Sequence, residues 1–145
     1  MFYLWINGAT ANTTVAGSLA IKKGLNNNCD GMLTETEIFS HLELVQFDQL
    51  VFGGWDVNGQ DAYKAARFNR VLEPWLVEDL RPDLEGIRPW KAVITKHDVD
   101  STKRAESAVT TSILEEGIKT LKQDILSFKG EYDLDKVIVV ILLLL

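Results

Sequence analysis

The chain has 145 residues, of which 46% are hydrophobic, so it can form one domain with a substantial buried core. Its net charge of -6, with no basic run, argues against a nucleic-acid partner, because nucleic-acid phosphates bind to basic surfaces. Cys29 is the only cysteine, which excludes an internal disulfide and fits a reducing, cytoplasmic setting. Met1 leads straight into an apolar segment with no basic stretch, so no secretion signal is predicted.

The first segment predicts a strand, a tight turn and a helix. Phe2 to Ile6 is an apolar run typical of a strand, and Gly8 lies in a turn of small residues. A helix is predicted from about Thr10 to Gly24, because two lysines followed by glycine are a typical C-terminal signal. The face of this helix predicted to be buried carries Val15, Leu19 and Ala20.

The middle of the chain predicts one short strand and two helices. Met32 to Phe47 is ambiguous, because LTETEIF alternates like a strand whereas the later part resembles a connector. Gln49 to Trp55 predicts the strand. The predicted helices are Gln60 to Leu72 and Pro74 to Leu80. Two Arg-Pro pairs, at 81–82 and 88–89, then bracket a predicted loop, and KAVIT at 91–95 predicts a short extended segment.

The last third predicts a long helix and a final strand. Asp100 to Lys129 is predicted to be helical, although the capping-box spacing of Ser112 and Glu115 leaves open a fresh helix start there. The chain then ends in VIVVILLLL, which is too short for a membrane span of about 20 residues. It is typical of a central parallel strand buried on both faces. Because a domain rarely ends inside its most buried strand, we expect the chain to be the front part, or an altered version, of something longer.

Helices that alternate with apolar strands predict an α/β fold with a parallel sheet and right-handed crossovers. The turn after the first strand is the main candidate site, because free N–H groups at a helix N-terminus carry positive partial charge and attract phosphate. A dinucleotide-binding turn has the pattern G-x-G-x-x-G, of which only Gly8 is present, and Ala11 stands where glycine would let a pyrophosphate approach. Asn12, Thr13 and Thr14 fit a phosphate site and an ordinary helix cap equally well, so both interpretations stay open.

Asp56 is a second candidate, because LVFGGWDV ends an apolar strand on two glycines and an acid. Ligands bind at the carboxyl ends of parallel strands, and glycines there leave room for them. A tight turn with Asp56 capping the next segment explains the same pattern. Asp30 lies near the usual offset for a ribose-binding acid, but NNNCDG resembles a plain turn.

The remaining candidates favour structural roles. His41 and His97 are isolated, Cys29 has no neighbouring base, and Glu35 and Glu37 are expected to face solvent. Packing roles are expected for Trp5, Trp75 and Trp90. No metal site, nucleophile or acid–base group is evident, so the catalytic residues stay unknown.

Four stretches resemble the N-terminal part of the myo-inositol-1-phosphate synthase (inositol-3-phosphate synthase) family, in its prokaryotic form. They are WINGATANTTVAGSLAIKKGL with GMLTETEIF, then LVFGGWDV, then IRPW, then IKTLKQDILSFKGEYDLDKVIVV. The resemblance implies a Rossmann-like parallel sheet flanked by helices, here incomplete, with residues 1–145 forming the N-terminal portion of a Rossmann-type NAD-binding domain. It also implies a cytoplasmic isomerase of inositol and phospholipid biosynthesis that forms homotetramers and converts glucose 6-phosphate to myo-inositol phosphate.

The resemblance further implies which residues bind NAD. The pyrophosphate would be held by the turn residues Gly8, Ala9, Thr10, Ala11, Asn12 and Thr13. Asp56 would accept a hydrogen bond from the adenosine side of the cofactor. Two features of this chain depart from the family. The family's turn is richer in glycine, whereas this chain has Asn7, Ala11 and Asn12 at positions where glycine or serine is usual. The family also has a polar turn after the last strand, which leucines replace in this chain.

These departures predict two consequences. The methyl group of Ala11 is expected to obstruct the phosphates, and the chain alone is expected to be inactive, since the family's catalytic lysines lie beyond its last residue. The alternative is a non-catalytic Rossmann-like remnant that acts as an interaction module through an unfinished sheet edge. An exposed apolar C-terminus would then favour self-association.

Overall fold

The computed structural model describes residues 1–25, 34, 36–95, 108–111 and 114–142. Five strands run through these residues: β1 (Phe2–Leu4), β2 (Gly53–Asp56), β3 (Trp90–Thr95), β4 (Ala108–Thr111) and β5 (Val139–Ile141). The α-helices described with them are α1 (Ala9–Lys22), α2 (Ala62–Asn69), α3 (Pro74–Asp79), α4 (Arg81–Gly86) and α5 (Leu114–Glu131). Short 3₁₀ turns cover Glu37–Phe39 and Phe47–Gln49.

The five strands form one parallel sheet in the order β4-β3-β2-β1-β5. Phe2 pairs with Gly53 of β2 on one side and with Val139 of β5 on the other. The chain therefore adds strands outward from β1 in one direction and returns to add β5 on the opposite side of β1. The predicted parallel α/β sheet is confirmed, and its strand order reverses at β1, which is where ligands bind in open sheets of this class.

Two hydrophobic clusters make up the core. One joins Ile6 to residues of α1–α4, including Val15, Leu19 and Leu84. The other joins β2 and β3 to α5 through Phe128, which is fully buried. Phe128 packs edge-on against Trp90, with ring centroids 5.8 Å apart and planes at 89°. A Cβ at Gly53 would lie 2.7 Å from the Phe128 ring, so glycine is required for this ring to reach the sheet.

The first helix forms as its sequence predicts. Val15, Leu19 and Ala20 are buried, and Gly24 adopts a left-handed conformation with φ of 67°. The N–H groups of Gly24 and Leu25 donate to the carbonyls of Ile21 and Ala20, which is the Schellman pattern that closes a helix on glycine.

Other predictions needed correction. The predicted helix from Asp100 to Lys129 is wrong at residues 108–111, which form strand β4, because AVTT contains β-branched residues that favour strands. Residues 96–107 lie outside the described chain, and α5 begins only at Leu114, in keeping with the fresh start left open near Ser112. Arg81 and Pro82 do not open a loop, because proline fits the first turn of a helix and α4 begins there. KAVIT is confirmed as strand, within β3.

Within the described residues, which include 137–142 of the final apolar run, β5 is not the central, doubly buried strand that the sequence predicts. In the described sheet, β5 is the terminal strand beside β1, and Val139 and Ile141 are 41% and 63% exposed. Apolar composition favours a strand, but position within a sheet is set by pairing partners, and β1 is the partner found here. Among the helices described, none combines the length and apolarity that a membrane crossing needs.

Candidate functional site at the carboxyl end of β1

The turn from β1 into α1 lies at the point where the strand order reverses. Trp5 follows β1 with φ of 65°, a conformation that favours glycine, and its carbonyl accepts the Gly8 N–H at 3.0 Å. A Cβ on Gly8 would stand 3.2 Å from that same carbonyl oxygen, closer than nearly all such contacts. Gly8 therefore allows the turn to close tightly before α1 begins.

Helix α1 starts without a side-chain cap. Gly8 is its N-cap, and the first hydrogen bond within the helix runs from the Asn12 N–H to the Gly8 carbonyl at 2.9 Å. The N–H groups of Ala9, Thr10 and Ala11 consequently have no helical acceptor. Ala9 and Thr10 are exposed, and no acidic side chain occupies the first turn. This end of the helix offers donors and positive partial charge to an anion.

Asp56 ends β2 beside this turn and is 5% exposed. Its Oδ2 accepts the Asn7 N–H at 2.9 Å, and its Oδ1 accepts the Asn58 N–H at 2.9 Å. Burial raises the pKa of Asp56 above its ordinary value, and these backbone hydrogen bonds oppose the increase. The carboxylate thus ties the turn to β2.

A cleft of about 200 Å³ opens between the turn and α2. Its lining includes Trp5, Asn7, Asp56, Phe68 and Asn69. Asn7 Oδ1 is buried without a hydrogen-bond partner in the described chain, and Phe68 is 69% exposed at the cleft. Because ligand pockets for drug-sized molecules enclose roughly 300–1,000 Å³, this cleft suits only part of a dinucleotide. The N–H donors at the start of α1, the Asp56 carboxylate and the Phe68 ring lie at the same edge of the sheet, and together they fit one end of NAD.

The structure separates the predicted turn residues into two groups. Gly8, Ala9 and Thr10 lie at the entrance to the helix, and Thr13 is exposed one turn further on, with its hydroxyl donating to the Ala9 carbonyl at 3.0 Å. Ala11 and Asn12 are buried, at 0% and 1% exposure. The Ala11 side chain packs in the core beneath the helix, which argues against the expectation that its methyl obstructs the phosphates.

Asn12 has internal partners for its polar groups. Its backbone N–H donates to Gly8, its Nδ2 donates to the Ile6 carbonyl at 3.2 Å, and its Oδ1 accepts from Asn69 Nδ2 at 2.9 Å. This side chain, at 1% exposure, therefore stabilises the turn from inside the protein. Asn69 and Phe68 were not anticipated from the sequence, because no local pattern links α2 to a turn more than 50 residues earlier.

Among the described residues, the other candidates apart from Trp5 do not line the cleft. In the part of the chain that is described, no three or more His, Cys, Asp or Glu side chains are grouped so as to hold a metal ion. His41 and Glu37 are exposed, while Cys29, Asp30, Glu35 and His97 lie outside the described residues. Trp75 is 55% exposed, so the packing role expected for it is wrong, whereas Trp90 does pack, against Phe128.

The chain is similar to known proteins of one family. A family model of NAD-binding domains, described as myo-inositol-1-phosphate synthase, matches residues 2–142. Inositol-3-phosphate synthase 1 of Bacteroides thetaiotaomicron is 29% identical over 148 residues, covering 92% of this chain and 33% of the relative. The rat protein of that name is 32% identical over 127 residues, covering 85% of this chain and 23% of its own length. The solved structure of inositol-3-phosphate synthase from Caenorhabditis elegans matches with a TM-score of 0.83 at 24% identity, over 97% of this chain and 33% of that one.

The parallel sheet, its switch point at β1 and the uncapped helix N-terminus define a nucleotide-binding domain of the Rossmann class. The chain belongs to the myo-inositol-1-phosphate synthase family, and NAD, as predicted, is the cofactor of this family's domain. The chain spans about a third or less of the length of the curated relatives that it matches.

Proposed function

We propose that residues 1–145 form the N-terminal portion of the Rossmann-type NAD-binding domain of an inositol-3-phosphate synthase. This enzyme would isomerise glucose 6-phosphate to myo-inositol phosphate in the cytoplasm, as a homotetramer that supplies inositol and phospholipid biosynthesis. The proposal depends on one observation above all: free N–H donors at α1 and the buried Asp56 carboxylate lie together at the switch point of the sheet.

The pyrophosphate would be bound by the start of α1. The N–H groups of the exposed Ala9 and Thr10 would donate to its oxygens, and the partial positive charge of a 14-residue helix would favour its negative charge. The Thr13 hydroxyl would have to turn away from the Ala9 carbonyl to donate as well. Gly8 keeps the entrance open, because it presents no side chain.

Asp56 would hold the adenosine end of NAD. Its oxygens accept two backbone N–H groups and retain lone pairs that a ribose hydroxyl could use. An acid at the end of the second strand also disfavours the extra phosphate of NADP, because two negative charges would be held close together. Phe68 lines the same cleft, where adenine could contact its side chain.

When bound, NAD supplies the oxidation and later reduction of the sugar. The residues described here bind and orient it, and we assign no catalytic residue to them. The substrate and the tetramer are proposed from the family, since this chain represents a minor part of its relatives' length.

One observation favours a second function, that of an interaction module. Ile138, Val139 and Ile141 are 63%, 41% and 63% exposed at the terminal strand of the described sheet. A partner strand could pair with β5 and cover these side chains. Light scattering across a dilution series would test this: self-association abolished by Ile141→Lys supports it, and a monomer at every concentration contradicts it.

Titration calorimetry with NAD tests the main proposal. We expect saturable binding below millimolar NAD, weakened roughly tenfold by Asp56→Asn, because a hydrogen bond to a charged group contributes about 1.5–3 kcal/mol. Asp61→Asn is the matched control: Asp61 is a buried acid that caps α2 through the Lys64 N–H, and it does not line the cleft. Absence of heat at millimolar NAD, or equal weakening by both substitutions, would contradict the proposal.

A further inference from the structure

Amide hydrogen bonds join the end of α2 to the turn between β1 and α1. Asn69, the last residue of α2, donates from Nδ2 to the Asn7 carbonyl at 2.8 Å and to Asn12 Oδ1 at 2.9 Å. Asn12 in turn donates from its own Nδ2 to the Ile6 carbonyl at 3.2 Å. We refer to Asn7, Asn12 and Asn69 as the amide cluster.

The amide cluster fixes the peptide groups just before the helix. The carbonyl of Asn7 is held by Asn69, while its N–H is held by Asp56 at 2.9 Å. The Asn7 side chain also donates to the carbonyls of Asn58 and Gln60, at 3.1 and 2.8 Å. With both polar groups of the Asn7 backbone held, the directions of the following N–H groups are set before any ligand arrives.

We propose that Asn69 is a positioning residue for the pyrophosphate of NAD. It acts through Asn7 and Asn12 and holds the turn from which the N–H donors of α1 project. Both of its side-chain hydrogen bonds run to this turn or to the first helical turn behind it. This inference rests on the proposed function, and it adds that phosphate affinity depends on a residue distant in sequence from the glycine-containing turn.

The test compares NAD with adenosine as ligands for the Asn69→Ala chain. Removing the amide leaves two buried acceptors unpaired and frees the turn. We expect the dissociation constant for NAD to rise roughly tenfold. That for adenosine, which has no phosphate, should rise by a clearly smaller factor, which reflects the place of Asn69 in the lining of the cleft. Tyr63→Phe is the matched control: it removes a hydrogen bond of α2 to Glu78, at 2.9 Å, that has no connection to the turn, and it should leave both constants unchanged.

A double-mutant cycle with Asn12→Ala sharpens the result. Asn69 and Asn12 share one hydrogen bond, and each also holds a further carbonyl of the turn. The losses of NAD affinity should therefore be clearly less than additive in the double variant. Fully additive losses would overturn the shared route. An unchanged NAD affinity in Asn69→Ala, or equal losses for NAD and adenosine, would overturn the positioning role.

A ligand-free measurement separates this inference from the proposed function. Hydrogen exchange at the Gly8, Ala9 and Thr10 amides should accelerate in Asn69→Ala but not in Tyr63→Phe. Unchanged exchange would refute the inference whatever the chain binds. Failure of the unsubstituted chain to bind NAD, together with accelerated exchange in Asn69→Ala, would refute the proposed function and would leave the amide cluster without a phosphate to position.

Discussion

Gly53→Ala is the substitution whose cost can be worked out most directly. The new Cβ would stand 2.7 Å from Cε2 and 3.1 Å from Cδ2 of Phe128, and 3.2 Å from Cζ3 of Trp90. Ordinary van der Waals contact begins at 3.4 Å, so the Phe128 ring must shift by about 0.7 Å. That ring is fully buried and confined by Trp90 and Tyr132. We expect a loss of about 1–3 kcal/mol in the free energy of unfolding, the usual cost of overpacking a core.

Urea denaturation followed by circular dichroism measures this loss. Two further variants test its cause. Gly17→Ala, within α1, has no atom within 4 Å of the new Cβ and should instead stabilise the chain by about 0.5–1 kcal/mol, because alanine favours a helix. Phe128→Leu should absorb most of the Gly53→Ala penalty, because it removes the ring that collides. The packing argument would be refuted by a Gly53→Ala chain as stable as the unsubstituted one, or by a penalty that is undiminished when Gly53→Ala is combined with Phe128→Leu.

Three further predictions concern the helices around the site. Ala11→Gly should leave NAD affinity unchanged and lower the free energy of unfolding by about 1 kcal/mol, because the Ala11 side chain faces the core. A marked gain in NAD affinity, measured by calorimetry, would contradict this buried position. Arg70→Gly should raise the melting temperature by a few degrees, since Arg70 caps α2 at φ of 53°, where glycine is unstrained; a lower melting temperature would count against this. Burial raises the pKa of Asp61, but hydrogen bonds and the charge of Lys64 outweigh it, so the pKa is lowered below its ordinary value. Asp61 therefore contributes stability that is present above the ordinary pKa of an aspartate and is lost as pH falls through the lowered pKa. Asp61→Asn should flatten this part of the curve of stability against pH, measured by urea titration at each pH. An unchanged curve would contradict the assignment.

Local pattern in the sequence predicts the parts of the fold that local forces decide. The β1–turn–α1 unit follows from an apolar run, Gly8 and the Lys-Lys-Gly signal, and the structure forms it with α1 beginning at Ala9. Alternation of helices and strands predicts the parallel sheet for the same reason. Asp56 is noticeable because glycines and an acid follow an apolar strand, and it lies at the switch point as that pattern suggests.

Other features depend on contacts between distant residues and leave no local pattern. The apolar run at β5 predicts a strand but not its neighbour, so its place at the end of the described sheet was missed. The absence of glycine at position 11 predicts that the Ala11 methyl obstructs the phosphates. The direction of this methyl is decided by its burial in the core, which the local sequence does not show. Asn69 contacts Asn12 across 57 residues, and no spacing rule connects them.

We propose that the start of α1 binds the phosphates of NAD beside Asp56. The most direct measurement is a series of ¹H–¹⁵N correlation spectra of the labelled chain during titration with NAD. We expect the largest saturable shifts at the amides of Ala9 and Thr10, with smaller shifts at Asn58 and none at Lys119 on the exposed face of α5. Shifts confined to other regions, or a spectrum unchanged at millimolar NAD, would contradict the account.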